Sequence, residues 1–182
     1  MSTPGITTQA TLQGALQSAH QILERTMADV DDELAARSAP GKANPLGSAY
    51  AHAVLAEDGI VHGMLQGQPP LLATSWAGRT GTDQPMPMFD AAEGSMEAWY
   101  RDVKVDLSAL RQYAQAVYGA SDAFISSASD ADLTRPIDLT MIGMGQMPLA
   151  VVFSIFVTGH CNNLCGEISA VKGVHGYKGY PF

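Results

Sequence analysis

Residues 8–36 read TQATLQGALQSAHQILERTMADVDDELAA, and their apolar positions set the fold class. Leu12, Leu16, Ala19, Leu23, Met27, Val30 and Leu34 follow steps of four, three, four, four, three and four, the spacing that keeps one helical face apolar. One long amphipathic helix over Thr8 to Ala36 is predicted.

Downstream, Pro40 and Gly41 break the pattern, and Asn44-Pro45 reads as an N-cap followed by a proline at the first helical position. A second helix follows over Pro45 to Gln66. It carries Gly47, Gly59 and Gly63 among alanines. An interior glycine costs about 1 kcal/mol relative to alanine, so close backbone approach, or room for a neighbouring side chain, is expected there. From Gln68 to Met88 the prolines and glycines (Pro69, Pro70, Gly78, Gly81, Pro85, Pro87) indicate a long crossover loop, with Trp76 burying its ring to anchor it. Asp90 and Glu93 resemble a capping box for a third helix over Asp90 to Ser127, marked by Met96, Trp99, Val103, Leu107, Leu110, Ala114, Val117 and Phe124. Ser129 and Asp132 form a second such box, and a connector through Gly143 and Gly145 leads to a fourth helix over Met147 to Lys172. Strand signals are nearly absent. The expected architecture is all-α: one domain over residues 1–182, a four-helix bundle with a long connection between helices two and three.

The chain has 182 residues, 46% hydrophobic and 15% charged, with ten Lys plus Arg against eighteen Asp plus Glu. A formal charge of -8 is the wrong sign for a phosphate-holding surface, so neither nucleic acid nor an anionic membrane is an expected partner. The opening residues carry neither a charged nor an apolar leader region, which points to the cytoplasm. The longest apolar run, Met147 to Val157, falls short of the ~18 residues of a bilayer span and reads as a buried core helix. Cys161 and Cys165, the two cysteines, lie one turn apart, where a disulfide is geometrically poor; they read as buried free thiols.

Of the five histidines, His20 and His62 read as ordinary helix-edge residues, and His175 sits in a glycine-rich tail with a solvated or packing role. His52 lies on a face otherwise made of Ala56, Gly59 and Gly63, which leaves space beside the imidazole. His160 ends an apolar half-helix and shares its face with Asn163 and Glu167. Spacing alone favours structural histidines over ligands at both positions.

The segments Asn44-Pro45-Leu46-Gly47, Tyr50 to Asp58, Ser75 to Arg79, Gly159-His160, Gly166-Glu167-Ile168 and Lys172 to Phe182 resemble the DinB-like superfamily over most of the chain. The resemblance implies a four-helix bundle, commonly dimeric, in which one histidine of helix two and an H-x-x-x-H pair on helix four hold a divalent ion such as zinc or nickel. It also implies relatives that use the metal to activate low-molecular-weight thiols such as mycothiol or bacillithiol. Residues four apart share a helical face, and an open coordination position makes a metal catalytic. The family's first two ligands map to His52 and His160, and the third position is Leu164, which cannot ligate. Glu167 is the first candidate substitute, although the family carries this glutamate beside three histidines. Two readings follow. One is a bundle with a degenerate metal site, weakly loaded or vacant, that binds a small ligand or acts as a homodimeric module. The other is a metal-dependent thiol transferase or hydrolase-like enzyme using His52 and His160.

Overall fold

The computed structural model describes residues 6–38, 40–87 and 92–182. Its helices are α1 (Thr8–Met27), α2 (Asp32–Ala36), α3 (Leu46–Asp58), α4 (Ser95–Asp102), α5 (Leu107–Ser127), α6 (Asp130–Thr134) and α7 (Leu149–Val174). Four of these, α1, α3, α5 and α7, form a bundle in which α1 and α3 each pack on both α5 and α7. The all-α bundle expected from periodicity is what the chain forms.

The boundaries differ in instructive ways. The predicted first helix is two, because the chain turns at Ala28 to Asp31 and Asp31 caps α2 by accepting from the Leu34 amide at 2.8 Å. Val30 and Leu34 still reach the core, so the apolar stripe survives the break. Helix two starts with Pro45 itself at the N-cap and no side-chain cap, not with Asn44 as the cap. The third predicted helix is divided at residues 103–106. Val105 pairs with Thr82 of the crossover loop, the Lys104 amide donates to Asp83 Oδ1 at 2.8 Å, and Asp106 then caps α5. Asp90 of the Asp90–Glu93 box lies outside the described residues, and α4 begins only at Ser95, with Gly94 at its N-cap and no side-chain cap, whereas the Ser129–Asp132 box forms. The connector through Gly143 and Gly145 is the tip of a two-stranded antiparallel hairpin, Pro136–Asp138 (β1) with Gln146–Pro148 (β2). It lies beside the bundle and is no central sheet.

Two seven-residue π-helical stretches were not legible: Gly59–Leu65 continues α3, and Phe153–Gly159 lies within α7. They face each other across the bundle. Wide i→i+5 turns recur at functional sites, and they account for the glycines better than close packing does. A Cβ at Gly59 or Gly63 would meet nothing within 4 Å, whereas one at Gly47 would stand 3.2 Å from the Ala35 Cβ and carbonyl oxygen. The expectation of close approach therefore holds at Gly47 alone of the three. As a whole, α7 spans 26 residues and is long and apolar enough by length and composition to cross a membrane, which the shorter run to Val157 had not suggested. Here Val152, Phe153, Val157, Leu164 and Ile168 of that helix are buried in the bundle.

Apolar burial divides into two clusters. One holds Leu23, Met27, Tyr50, Val54, Leu110, Val117, Leu164 and Ile168; the other holds Leu16, Ile60, Val61, Ile125, Phe153 and Val157. Buried polar residues enter each long helix where the clusters meet: His20 on α1, Glu57 and Asp58 on α3, Ser121 on α5 and Thr158 on α7. The exposed carbonyls at the end of α1 are capped from afar. Arg111 donates to the Met27 and Val30 oxygens at 2.9 and 3.0 Å. The buried Lys172 donates to the Thr26 oxygen at 2.6 Å and to Asp29 at 2.5 Å. Both place positive charge at the negative end of the helix dipole.

Asp58, fully buried, organises the crossover loop. One carboxylate oxygen accepts from the Leu71 amide at 2.9 Å and lies 2.8 Å from His62 Nδ1; the other accepts from the Leu72 amide at 2.8 Å and from the Tyr113 hydroxyl at 2.5 Å. Trp76 is half-buried, tilted on Tyr113 with ring centroids 5.7 Å apart, and the Arg79 guanidinium lies over the indole at 5.1 Å. The loop is thus held by the carboxylate with the indole as its cover, and not by a buried indole alone. Farther along, Gly81 has φ +85°, and a Cβ there would stand 2.4 Å from the Leu110 nitrogen, so only glycine fits. Replacing Asp58→Ala leaves two loop amides and the Tyr113 hydroxyl without their acceptor. A loss of about 3–5 kcal/mol in urea unfolding is expected; a loss under about 1 kcal/mol would show that water replaces the carboxylate at little cost.

Candidate functional site

His52 projects from α3 and His160 from the first turn after the π stretch of α7, and their rings meet edge to face with centroids 4.7 Å apart. The two mapped histidines are therefore brought together. A third side chain joins them: His52 Nδ1 is hydrogen-bonded to the hydroxyl of Tyr100 on α4, whose ring packs edge-on to His52 at 5.4 Å. No sequence signal singled out Tyr100, since α4 belongs to a helix that reads as continuous with α5.

Burial sets the charge state of this cluster. Both imidazoles lose water on folding, which disfavours their charged forms. His52 is pushed down to about 4 by burial and, secondarily, by the neighbouring His160. His160 is also lowered by burial, opposed in part by the negative charge of Glu57. The Tyr100 phenol is raised by burial and by Glu167. At neutral pH the cluster is two neutral imidazoles and a neutral phenol.

The other expected positions lie around it. Leu164, one turn past His160 on the same face, is buried in the apolar core. Glu167 and Asn163 are exposed. Cys161 and Cys165 are buried free thiols; burial raises both thiols, and Cys165 donates weakly to the Thr26 hydroxyl at 3.6 Å. His175 is half-buried at the end of α7.

The donor set does not fit the three-ligand metal centre that the resemblance implies. Two nitrogen-bearing rings converge, His52 keeping Nε2 free among the described residues while Tyr100 engages Nδ1, and the third position offers a hydrocarbon. Among the described residues no group of three His, Cys, Asp or Glu side chains is arranged to hold an ion.

His20 and His62 proved to be more than helix-edge residues. His20 is only 8% exposed; it stacks on Tyr118 with centroids 3.7 Å apart, and its Nε2 lies 2.8 Å from Glu57 Oε2. His62 Nδ1 lies 2.8 Å from Asp58 Oδ1 without hydrogen-bonding alignment. The available signal was the adjacent acids Glu57-Asp58 at the end of an alanine-rich apolar helix, because buried carboxylates need partners. Finding which residues serve required the tertiary structure.

Comparison with known proteins supports the frame. A family profile described as the DinB superfamily matches residues 15–163, a span that contains His52 and His160. Among solved structures, one described as "Crystal structure of the conserved protein of locus from Enterococcus faecalis" superposes with a TM-score of 0.72 at 17% identity, covering 90% of this chain and 94% of that one. At that identity the likeness speaks for the fold. Comparison with curated proteins gives no match. With the family profile matching residues 15–163, most of the bundle, the chain belongs to the DinB superfamily.

Proposed function

We propose that this chain is a DinB bundle whose metal site is degenerate, and that it works as a homodimeric or small-ligand-binding module. The observation that carries the reading is the buried Leu164 one turn past His160, where the resemblance puts a third imidazole. Two imidazoles bind a divalent ion weakly compared with three. The bundle keeps the imidazole pair as part of its packing, and its exposed apolar residues Met141, Met144, Val151 and Ile155 supply surface suited to association. The second reading, a metal-dependent thiol transferase, draws on one observation: the two imidazoles still meet at 4.7 Å and are both held neutral by burial, the state in which imidazole ligates metals.

Protein purified without a histidine tag is expected to carry well under one equivalent of zinc or nickel by elemental analysis. Leu164→His should raise occupancy severalfold, because it restores an imidazole one turn past His160. A full equivalent retained by the wild type through chelator dialysis would favour the enzyme reading and direct attention to Glu167. Sedimentation at micromolar concentration should show a dimer; a monomer alone would remove that half of the proposal.

The acid limb of stability gives a separate check. His52 titrates near 4 in the folded protein against an ordinary value near ~6.5 in the unfolded chain. The unfolded state therefore binds the extra proton between these values, and stability falls as pH drops through that window. About 2 kcal/mol should be lost from this group between pH 7 and pH 5 in chelator-treated protein. His52→Gln should flatten that slope in urea titrations; an unchanged slope would place the acid-sensitive group elsewhere.

A further inference from the structure

From Leu139 to Gly166 the chain carries no Asp, Glu, Lys or Arg, although its net charge is -8. That run forms the hairpin tip, β2 and the greater part of α7. Five of the ten exposed large apolar side chains among the described residues fall within it: Met141, Ile142 and Met144 at the tip, Val151 and Ile155 on α7. Met141 is 98% exposed. The helix is apolar enough by composition to be a membrane span, yet less than half of its most apolar stretch is buried in its own bundle. Its hydrophobicity exceeds what the core of one copy uses.

The hairpin packs on the start of α7, and the two π stretches pack on each other. The charge-free surface therefore continues onto Gly59–Leu65, which also lacks a charged residue. Gly59 and Gly63 are half-buried there with open space where a Cβ would stand, so low ground adjoins the protruding side chains. The charges nearest in sequence are withdrawn or at the border: Glu57 and Asp58 are buried, Arg135 is turned to the Leu65 oxygen at 2.8 Å, and Asp138 and Glu167 flank the run. About two dozen residues of the run and the adjoining π stretch are exposed or half-buried, in line with the roughly 20–30 residues a side of a stable interface.

Charge decides what covers this surface. Helices that bind lipid carry Lys or Arg beside their apolar face, and the run has neither. Its exposed Gln146, Ser154 and Asn162 need hydrogen-bonding partners that protein supplies and hydrocarbon does not. Two chains of -8 repel each other through their charged faces, and here they can meet without setting like charges together. A two-fold pairing sets a surface against itself, which neutral ground with both protrusions and hollows permits. We infer that a second copy seats on this charge-free surface, so that the hairpin tip and the outer face of α7 around Ile155 form a two-fold apolar interface. The inference rests on the homodimer reading above and specifies the surface through which the copies meet.

The test is sedimentation equilibrium of the full chain beside Ile155→Lys, Met141→Lys and, as a control on the exposed side of α5, Gln112→Lys. The first two should weaken dimerisation at least tenfold with circular dichroism unchanged, and the control should leave it as in the wild type. Raising salt from about 0.05 to about 0.5 M should preserve or tighten the wild-type dimer, because only the repulsion between copies is screened. A measurement on the wild type needs no substitution: Met141 should resist peroxide oxidation at concentrations where the dimer prevails and be oxidised after dilution to monomer. A dimer that persists in both lysine variants, that dissociates in high salt, or in which Met141 is oxidised as fast as in the monomer overturns this surface and leaves the homodimer reading standing. A wild type that stays monomeric at every concentration, or that as a monomer sediments with phosphatidylcholine vesicles, overturns both.

Discussion

A carboxylate with no access to water is stable as an ion only if donors replace its hydration shell, and that requirement at Asp58 governs much of this molecule. Its two oxygens draw in the crossover loop through the Leu71 and Leu72 amides and α5 through the Tyr113 hydroxyl. The loop is therefore placed by the charge, and the position of Trp76 over Tyr113 follows from it. The same condition acts one residue earlier, where Glu57 reaches diagonally through the bundle to His20. Two adjacent acids on α3 thus tie α1, α5 and the longest connection to one another.

The fold class was legible because helix periodicity is a local property. Leu12 to Leu34 kept one face apolar even across the turn at Ala28 to Asp31, since both segments pack against the same core. Local signals also hid the breaks. Val103 to Asp106 fits a helical stripe by spacing, yet its backbone serves a bridge to Thr82, and only the loop's return path reveals that demand. The π stretches were invisible for a related reason: a pattern read at 3.6 residues per turn has no term for a wider turn, and Gly59 and Gly63 mark it without specifying it.

The candidate site was legible in part. Helical spacing placed His160, Leu164 and Glu167 on a common face, and the resemblance paired that face with His52. Which neighbours would complete the cluster was set by tertiary packing. Tyr100 lies 48 residues from its partner His52, on a short helix whose independence came from the bridge just described. Leu164 was visible from the start as a hydrocarbon in a ligand's place; its burial beside Ile168 shows that the core has absorbed the position.

The latch at the end of α1 bears on how the chain assembles in time. Lys172 reaches back across 146 residues to the Thr26 oxygen, and Arg111 reaches back 84 to that of Met27. During vectorial synthesis the first helix emerges with its terminal carbonyls and its apolar stripe exposed, and neither is closed until most of the polypeptide has followed. Contacts of such sequence separation form late and slowly. Residues 8–27 therefore spend synthesis as an amphipathic segment in search of a partner, the interval in which a chain of this kind is most open to capture by chaperones or by a neighbouring nascent copy.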